Sequence, residues 1–368
     1  AAESQNESSL PFAYGAAGGT LGTVSGALFG LIFLLILFKL FYPRLKKRIV
    51  QDMNHREESY KEIYTVLLLT IAPVILSTAI YNINDTIDQG IFSSVVISQG
   101  YTEKKAASLL GMFTGKYNTL IHIPLAVANS LGASLIPSLT GAVATGNRKH
   151  IHSKIQMAIR FAMLIAIPSC IAFMTIPNQI LSLLYVGNVD IPAKLLRVGA
   201  ITVVFYCLST VTNSILQGLN HMTTPVKHGA TSLCVHLVAV VIMLVGFRWN
   251  IYSLVVGNIV FSLCMCILNG RALRKFVNYR QEIQKTFLLP LGAATVMGVM
   301  LLIVYFATAI VIPKKLATIF AILVAIFVYA VCLLKFGALT ADEIVALPKG
   351  KALLRLFQRL RLIRMESE

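Results

Sequence analysis

The sequence predicts an all-α, polytopic membrane protein with about nine transmembrane helices. Of its 368 residues, 57% are hydrophobic and 13% charged, whereas globular chains run at about 45–50% apolar and about 25% charged. The apolar residues also fall in runs near the ~20 residues that a helix needs to cross a bilayer. A single soluble core stops growing near about 250–300 residues, so the excess could not be hidden in a larger one. Disorder, collagen, coiled coil and a disulfide-built secreted domain are excluded by the same composition. The formal charge of +17 would by magnitude fit a nucleic-acid binder. Its charges sit between the apolar runs, however, which fits a basic membrane face and no nucleic acid.

Nine segments qualify as spans: Ala13–Phe41, Ile63–Ile87, Leu109–Ile136, Ile155–Ile176, Leu195–Leu216, Ala230–Gly246, Ile251–Cys266, Phe287–Ala309 and Leu316–Leu334. The sixth and seventh are short and closely linked, but about 40 residues are too many for one crossing, so two helices are predicted. Orientation follows from Lys and Arg in alternate connections. One set, with the C-terminal tail, holds 22 and the other 7. The positive-inside rule then puts the C-terminus in the cytoplasm and Ala1 outside, the arrangement an odd number of spans requires.

In the first segment Gly18, Gly22, Gly26 and Gly30 recur at i+4 spacing, which lets another helix backbone approach closely. Lys39 ends this segment and can snorkel to the interface. The second segment carries Pro73 and then Ser77, Tyr81, Asn84, Asp85 and Asp88. Their steps put all five on one face. Two carboxylates one turn apart at membrane depth are expensive unless they meet water or a cation. The stripe reads either as a cavity wall, with an ion or proton site among its options, or as a helix emerging at the outer surface.

The third segment holds Lys116, Asn118, His122 and Asn129 and is expected to break at Pro124 and Pro137. Lys116 is either a headgroup-snorkelling residue or a cation for an anionic substrate group. Asn118, His122 and Asn129 share a face and can line water or satisfy one another. In the fourth segment Arg160, one turn after Gln156, either reaches the headgroups or faces a cavity. The fifth ends in a polar run containing Ser209, Thr210, Thr212, Asn213, Ser214 and Gln217. Interhelical hydrogen bonding is its ordinary role.

The six cysteines all fall in apolar runs with no CxxC and no ligand spacing, so buried, inert thiols are predicted and no metal. The connection Pro177–Lys194 reads as a plain loop. Thr340 with Glu343 reads as a capping box. Beyond Pro348 a basic amphipathic helix follows, with Leu353, Leu356, Phe357, Leu360 and Ile363 opposite Lys351, Arg355 and Arg359. Such a helix lies on an anionic phospholipid leaflet. No Walker A, GxSxG, HExxH or GxGxxG sequence occurs, so neither enzymatic activity nor a cofactor is predicted.

The stretch Asn213–Val226, NSILQGLNHMTTPV, resembles the helix–turn–helix junction of the multidrug/oligosaccharidyl-lipid/polysaccharide (MOP) exporter superfamily. Leu216, Gln217, Gly218, Leu219 and Pro225 stand at the matching places, with Asn220 where that family often has Gly. Tyr14–Leu37 is similar to the glycine-rich sixth helix of its polysaccharide-transporter branch, and Ile123–Thr140 to the eighth. Gly337–Pro348 is similar to the C-terminus of stage V sporulation protein B-like members. The resemblance implies part of a two-lobed, fourteen-helix flippase fold around a central cavity. The chain begins at Ala1 without an initiator Met, and it would then be a C-terminal fragment holding helices six to fourteen.

On that reading residues 1–41 end the N-terminal lobe, 42–62 form a basic linker and 63–280 the C-terminal lobe. Residues 281–338 would form an extra helix pair and 339–368 the tail. The partners implied are a lipid-linked glycan and the missing N-terminal helices. The implied function is a flippase for lipid-linked oligosaccharide or cell-wall precursors, with Lys116 near the position of a cavity cation in the related lipid II flippases. Alternatives are a cation-coupled multidrug antiporter, using Asp85 and Asp88 as its coupling pair, and a non-transporting scaffold of envelope or spore assembly. The candidate substrate-binding residues are Lys116, Asn118, His122, Asp85, Asp88, Asn213, Gln217 and Arg160.

Overall fold

The computed structural model describes residues 2–51 and 59–338. The predicted tail helix and its capping box therefore lie outside the described residues. Contacts divide the chain into two compact units, 1–66 and 67–368. The first holds α1 (Ala2–Gln51) and the opening of α2 (Tyr60–Ser98). A capping box opens α2: the Ser59 hydroxyl accepts from Lys61 N, and Glu62 accepts from Ser59 N. Within this unit nothing comes within 4 Å of the Cβ positions at Gly18, Gly22, Gly26 and Gly30.

The second unit continues α2 and adds α3 (Glu103–Met112), α4 (Thr119–Ala144), α5 (Arg148–Thr175), α6 (Pro177–Leu184), α7 (Asp190–Gly199) and α8 (Ile201–Gly218). It closes with α9 (Thr223–Val241), α10 (Tyr252–Val277), α11 (Leu289–Thr308) and α12 (Lys314–Lys335). Three π-helical turns, Phe113–Asn118, Ile242–Gly246 and Gln284–Leu288, extend neighbouring helices. Among the described residues eight helical stretches are long and apolar enough to cross a membrane: Ala17–Gln51, Glu103–Ala144, Arg148–Thr175, Ile201–Gly218, Thr223–Gly246, Tyr252–Val277, Gln284–Thr308 and Lys314–Lys335. The predicted span at 63–87 lies in α2, which is not one of these eight.

The element ends follow local chemistry. Thr102 caps α3 by accepting from Lys105 N, and Asn147 caps α5 by accepting from His150 N. The turn between α8 and α9 places Asn220 at φ 64°. This is the left-handed region that Gly favours and Asn tolerates, which accounts for Asn at a place where the resembling family often has Gly.

Three expectations need correction. Pro124 and Pro137 do not break their helix, since α4 runs through both; membrane helices tolerate Pro where neighbouring helices and hydroxyls answer the freed carbonyls. The connection at 177–194 is not plain loop but contains α6 and the start of α7. Cys234 is exposed, although Cys170 and Cys207 are buried as predicted.

The second unit is built around α8, which packs against α4, α5 and α10, while α11 pairs with α12 and leans on α5. Both α11 and α12 fall in this second unit. Polar side chains share its apolar interior, and large apolar ones cover its outside. Thr202, Ser209, Thr212, Asn213, Ser232, Ser262 and Asn269 are buried, whereas Leu323, Ile326 and Phe327 on α12 are about 60% exposed. An outer face of large apolar side chains suits a bilayer.

Gly132 on α4 shows how close the central helices come. A Cβ there would strike the Ser214 hydroxyl of α8 and lie 3.0 Å from Ser214 Cβ. Replacing Gly132 by Val should part α4 from α8. We expect a loss on the order of 1–3 kcal/mol, read as a lower unfolding midpoint in detergent; an unchanged midpoint would mean the contact is not tight.

Candidate functional site

A cavity of about 500 Å³ opens between α2, α4, α8 and α10. Four helices and one π turn supply its polar wall: Asn82 and Asp85 from α2, Asn129 and His122 from α4, Asn118 from the π turn, Tyr206, Thr210, Asn213, Ser214 and Gln217 from α8, and Asn258 from α10. The spacing Asn118, His122, Asn129 predicted from sequence does present these side chains together. Ile121, Leu125 and Ile136 add an apolar portion. The wall is rich in amides and hydroxyls, and among the described residues no Lys or Arg lines it.

The amide wall is held from behind. Asn269, fully buried on α10, donates to Asn213 Oδ1 at 2.8 Å and to the Thr212 hydroxyl at 3.0 Å. His228 on α9 donates through Nδ1 to Asn269 Oδ1 at 2.7 Å. This chain ties α8, α9 and α10 and fixes the orientation of one cavity amide.

Of the eight candidates from sequence, Asp85, Asn118, His122, Asn213 and Gln217 line the cavity, and three lie elsewhere. Lys116 leaves the face shared by Asn118 and His122. Its Nζ donates to the Asn188 carbonyl at 3.3 Å and lies 5.6 Å from the Tyr185 ring centroid. The Tyr185 hydroxyl in turn donates to Gly115 O at 2.9 Å, so Lys116 belongs to a clamp on the 185–188 loop. Asp88 is 1% exposed and accepts from His236 Nε2 at 2.7 Å. The predicted stripe on α2 is therefore split: Asp85 faces the cavity, and Asn84 and Asp88 are buried away from it. Ser77 and Tyr81 lie outside the described side chains.

Arg160 reaches neither headgroups nor cavity. It is 4% exposed and pairs with Glu282 at 2.5 Å, and Gln156 donates to the same carboxylate oxygen. His152 donates to Val277 O at 2.7 Å, so α5 is clamped both to the end of α10 and, through Glu282, to the link that follows it. Partial burial pushes the Glu282 carboxyl upward. Hydrogen bonds from Arg160 and Gln156, with the charges of Arg160 and Lys285, outweigh that push and hold it below the ordinary value. Burial pushes the neighbouring Tyr279 hydroxyl up to about 12, helped by the Glu282 charge.

Sequence reasoning missed Asn82, Tyr206 and Asn258 in the wall and His236 behind it. The available signal was a polar side chain inside an apolar run, but a single helix cannot show which neighbour it meets.

The family model of the lipid II flippase MurJ matches residues 8–334. A protein of Bacillus subtilis strain 168 described as lipid II flippase MurJ is 24% identical over 165 residues, 44% of this chain and 30% of its own length. A probable lipid II flippase MurJ of Bdellovibrio bacteriovorus is 22% identical over 165 residues, 43% of this chain and 31% of its own. The matches thus span less than a third of either relative's length. Among solved structures, a MOP superfamily transporter from Pyrococcus furiosus has a TM-score of 0.38 at 15% identity, covering 80% of this chain and 66% of that one. That likeness is too slight to carry an argument.

The Arg160–Glu282 clamp gives a signed pH prediction. A carboxyl held low in the folded state contributes stability above its unfolded value, and that contribution is lost as pH falls through the folded value. Thermal unfolding of the wild type should therefore decline in acid, and E282Q should flatten that decline. E282A, which removes this carboxylate from the buried Arg160 guanidinium, should lower the unfolding midpoint at neutral pH.

Proposed function

This chain belongs to the lipid II flippase MurJ family, and on that premise we propose that it moves a lipid-linked oligosaccharide or cell-wall polysaccharide precursor across the cytoplasmic membrane by alternating access. The family is one of transporters, so the chain reads as a carrier and not an enzyme. The observation that carries the proposal is the cavity wall of amides and hydroxyls inside an apolar-faced bundle. Groups that both donate and accept suit a sugar's hydroxyls, and the apolar exterior leaves a lipid tail in the bilayer. With no nucleotide motif in the sequence, the energy would come from gradients or from the lipid. The charge asymmetry of the connections orients the chain with its C-terminus in the cytoplasm, where the basic tail would rest on anionic phospholipid. The nine spans would be part of a fourteen-helix, two-lobed protein. A narrower role in spore assembly rests on the likeness of Gly337–Pro348 alone.

One observation favours a second reading, the cation-coupled multidrug antiporter. Asp85 is the wall's carboxylate, and Lys116, which would repel a cationic drug, lies outside the cavity.

Reconstituting the chain with a fluorescent polyprenyl-pyrophosphate disaccharide and quenching one leaflet tests the two. Each hydrogen bond lost to a neutral group removes about 0.5–1.5 kcal/mol, so N82L/N129L should slow flipping roughly ten- to a hundredfold. Under the antiporter reading, D85N abolishes export of a cationic dye and the disaccharide lipid stays in its original leaflet. That outcome would reverse the ordering.

A further inference from the structure

A second, smaller pocket of about 150 Å³ opens between α6, the end of α11 and the start of α12. It shares no lining residue with the cavity described above. Local structure builds it from both sides. α6 is a short helix of opposed faces: Ile180 and Leu181 are buried, while Asn178, Gln179 and Ser182 line the pocket. α12 begins after Pro313 with no side-chain cap, so the N–H groups of its first turn keep no capping acceptor. Lys314 and Lys315 stand in that uncapped turn, and both line the pocket.

The groups that can bind a ligand here are uncommitted. Tyr305 lines the pocket with its side chain only 8% exposed, and among the described residues its hydroxyl meets no hydrogen-bond partner. A buried Tyr ordinarily finds one, and the buried ring fixes where the open hydroxyl sits. Among the described residues the side chains of Asn178, Gln179 and Ser182 are unpartnered too, and neither lysine is paired with a carboxylate. Thr318 differs. Its buried hydroxyl donates to Lys314 O at 2.8 Å and so braces the first turn of α12.

Two ammonium groups, an open helix start, a phenol and two side-chain amides all donate hydrogen bonds, and together they suit a phosphate. Among the described residues no Asp or Glu lines the pocket to oppose an anion. Its volume is well below the ~300–1,000 Å³ that encloses a drug-sized ligand, so it takes a headgroup and leaves the rest of the molecule outside. That outside is apolar: Leu184, Phe306, Leu316 and Phe320 are half exposed or more, which suits acyl chains. In the orientation read from the connections this end faces outward, where Lys314 and Lys315 are two of seven cations. We propose that the pocket seats the phosphodiester of an anionic glycerophospholipid from the outer leaflet, bridging α6 to α12. A pyrophosphate on the cargo offers similar chemistry, but none of the cavity's helices, α2, α4, α8 and α10, lines this pocket. The site stands apart from the transport reading.

Photolabelling of the full chain locates the lipid. The chain is placed in phosphatidylcholine nanodiscs with a trace of phosphatidylglycerol carrying a diazirine near its headgroup, irradiated, and its labelled peptides are read by mass spectrometry. Label is expected on the peptides holding 178–184 and 305–318. K314Q/K315Q should cut that label roughly thirtyfold, through loss of two lysine–phosphate attractions, and K314R/K315R should keep it. Y305F should cut it about two- to tenfold, an effect that surface charge alone does not give. Labelling elsewhere on the chain should hold in all three variants.

Equal labelling by a diazirine phosphatidylcholine overturns the site, as does label that neither K314Q/K315Q nor Y305F reduces. A diazirine polyprenyl pyrophosphate that labels the same peptides and displaces phosphatidylglycerol would assign the pocket to the cargo. Displacement by inorganic phosphate would make it a site for free anions. Either result overturns the assignment to a phospholipid. Should K314Q/K315Q fail to fold, Y305F decides alone.

Discussion

Hydrocarbon offers no hydrogen bond, so every amide, hydroxyl and charge on a membrane-spanning helix has to be answered by another helix or by enclosed water. The architecture of the second unit follows from that constraint. The large apolar side chains of α12 face outward, and the polar ones of α8 turn in toward α4, α5 and α10. Where polar groups from several helices meet at close quarters, they bond directly, as Asn269 does with Thr212, Asn213 and His228. Where they cannot meet, a cavity remains between them. Packing and cavity are two results of one requirement.

Glycine sets which result occurs. At Gly132 the α4 backbone comes against Ser214, and at Gly257 the α10 backbone yields to His236 and Val240. At Gly132 the small residue lets a polar side chain fit, and at Gly257 it admits the apolar Val240 as well as the imidazole of His236. This differs from the row on α1, where among the described residues nothing lies within 4 Å of a Cβ added at Gly18, Gly22, Gly26 or Gly30.

Much of this was legible in the sequence, and the part that was not has a physical reason. Span positions follow from apolar runs, since burial in lipid is scored residue by residue along the chain. The shared face of Asn118, His122 and Asn129 follows from helical period alone, and the structure gives all three to the cavity. Partners at long sequence separation carry no such signal. Arg160 lies 122 residues from Glu282, and Asp88 lies 148 from His236. A charge near a helix end therefore looks like a headgroup anchor until the packing supplies its counterion. Lys116 was misplaced for a local reason: it sits in the π-helical turn Phe113–Asn118, where the ordinary period no longer tells which way a side chain points.

The two carboxylates of α2 show how one helix can serve both sides of a wall. Three residues separate Asp85 from Asp88, a rotation about 60° short of a full turn, which looks from sequence like a single face. That angle is enough to send one into the cavity and the other to His236. The two carboxylates are thus carried on one helix, Asp85 against the cavity and Asp88 against the imidazole of α9, and a single helix thickness separates the two environments. Gln99, just past the end of α2, donates to Leu244 O in the π turn after α9, so the two helices are joined at a second point. The orientation of α2 is therefore fixed by polar contacts on the side away from the cavity, and that orientation is what presents Asp85 to the cavity.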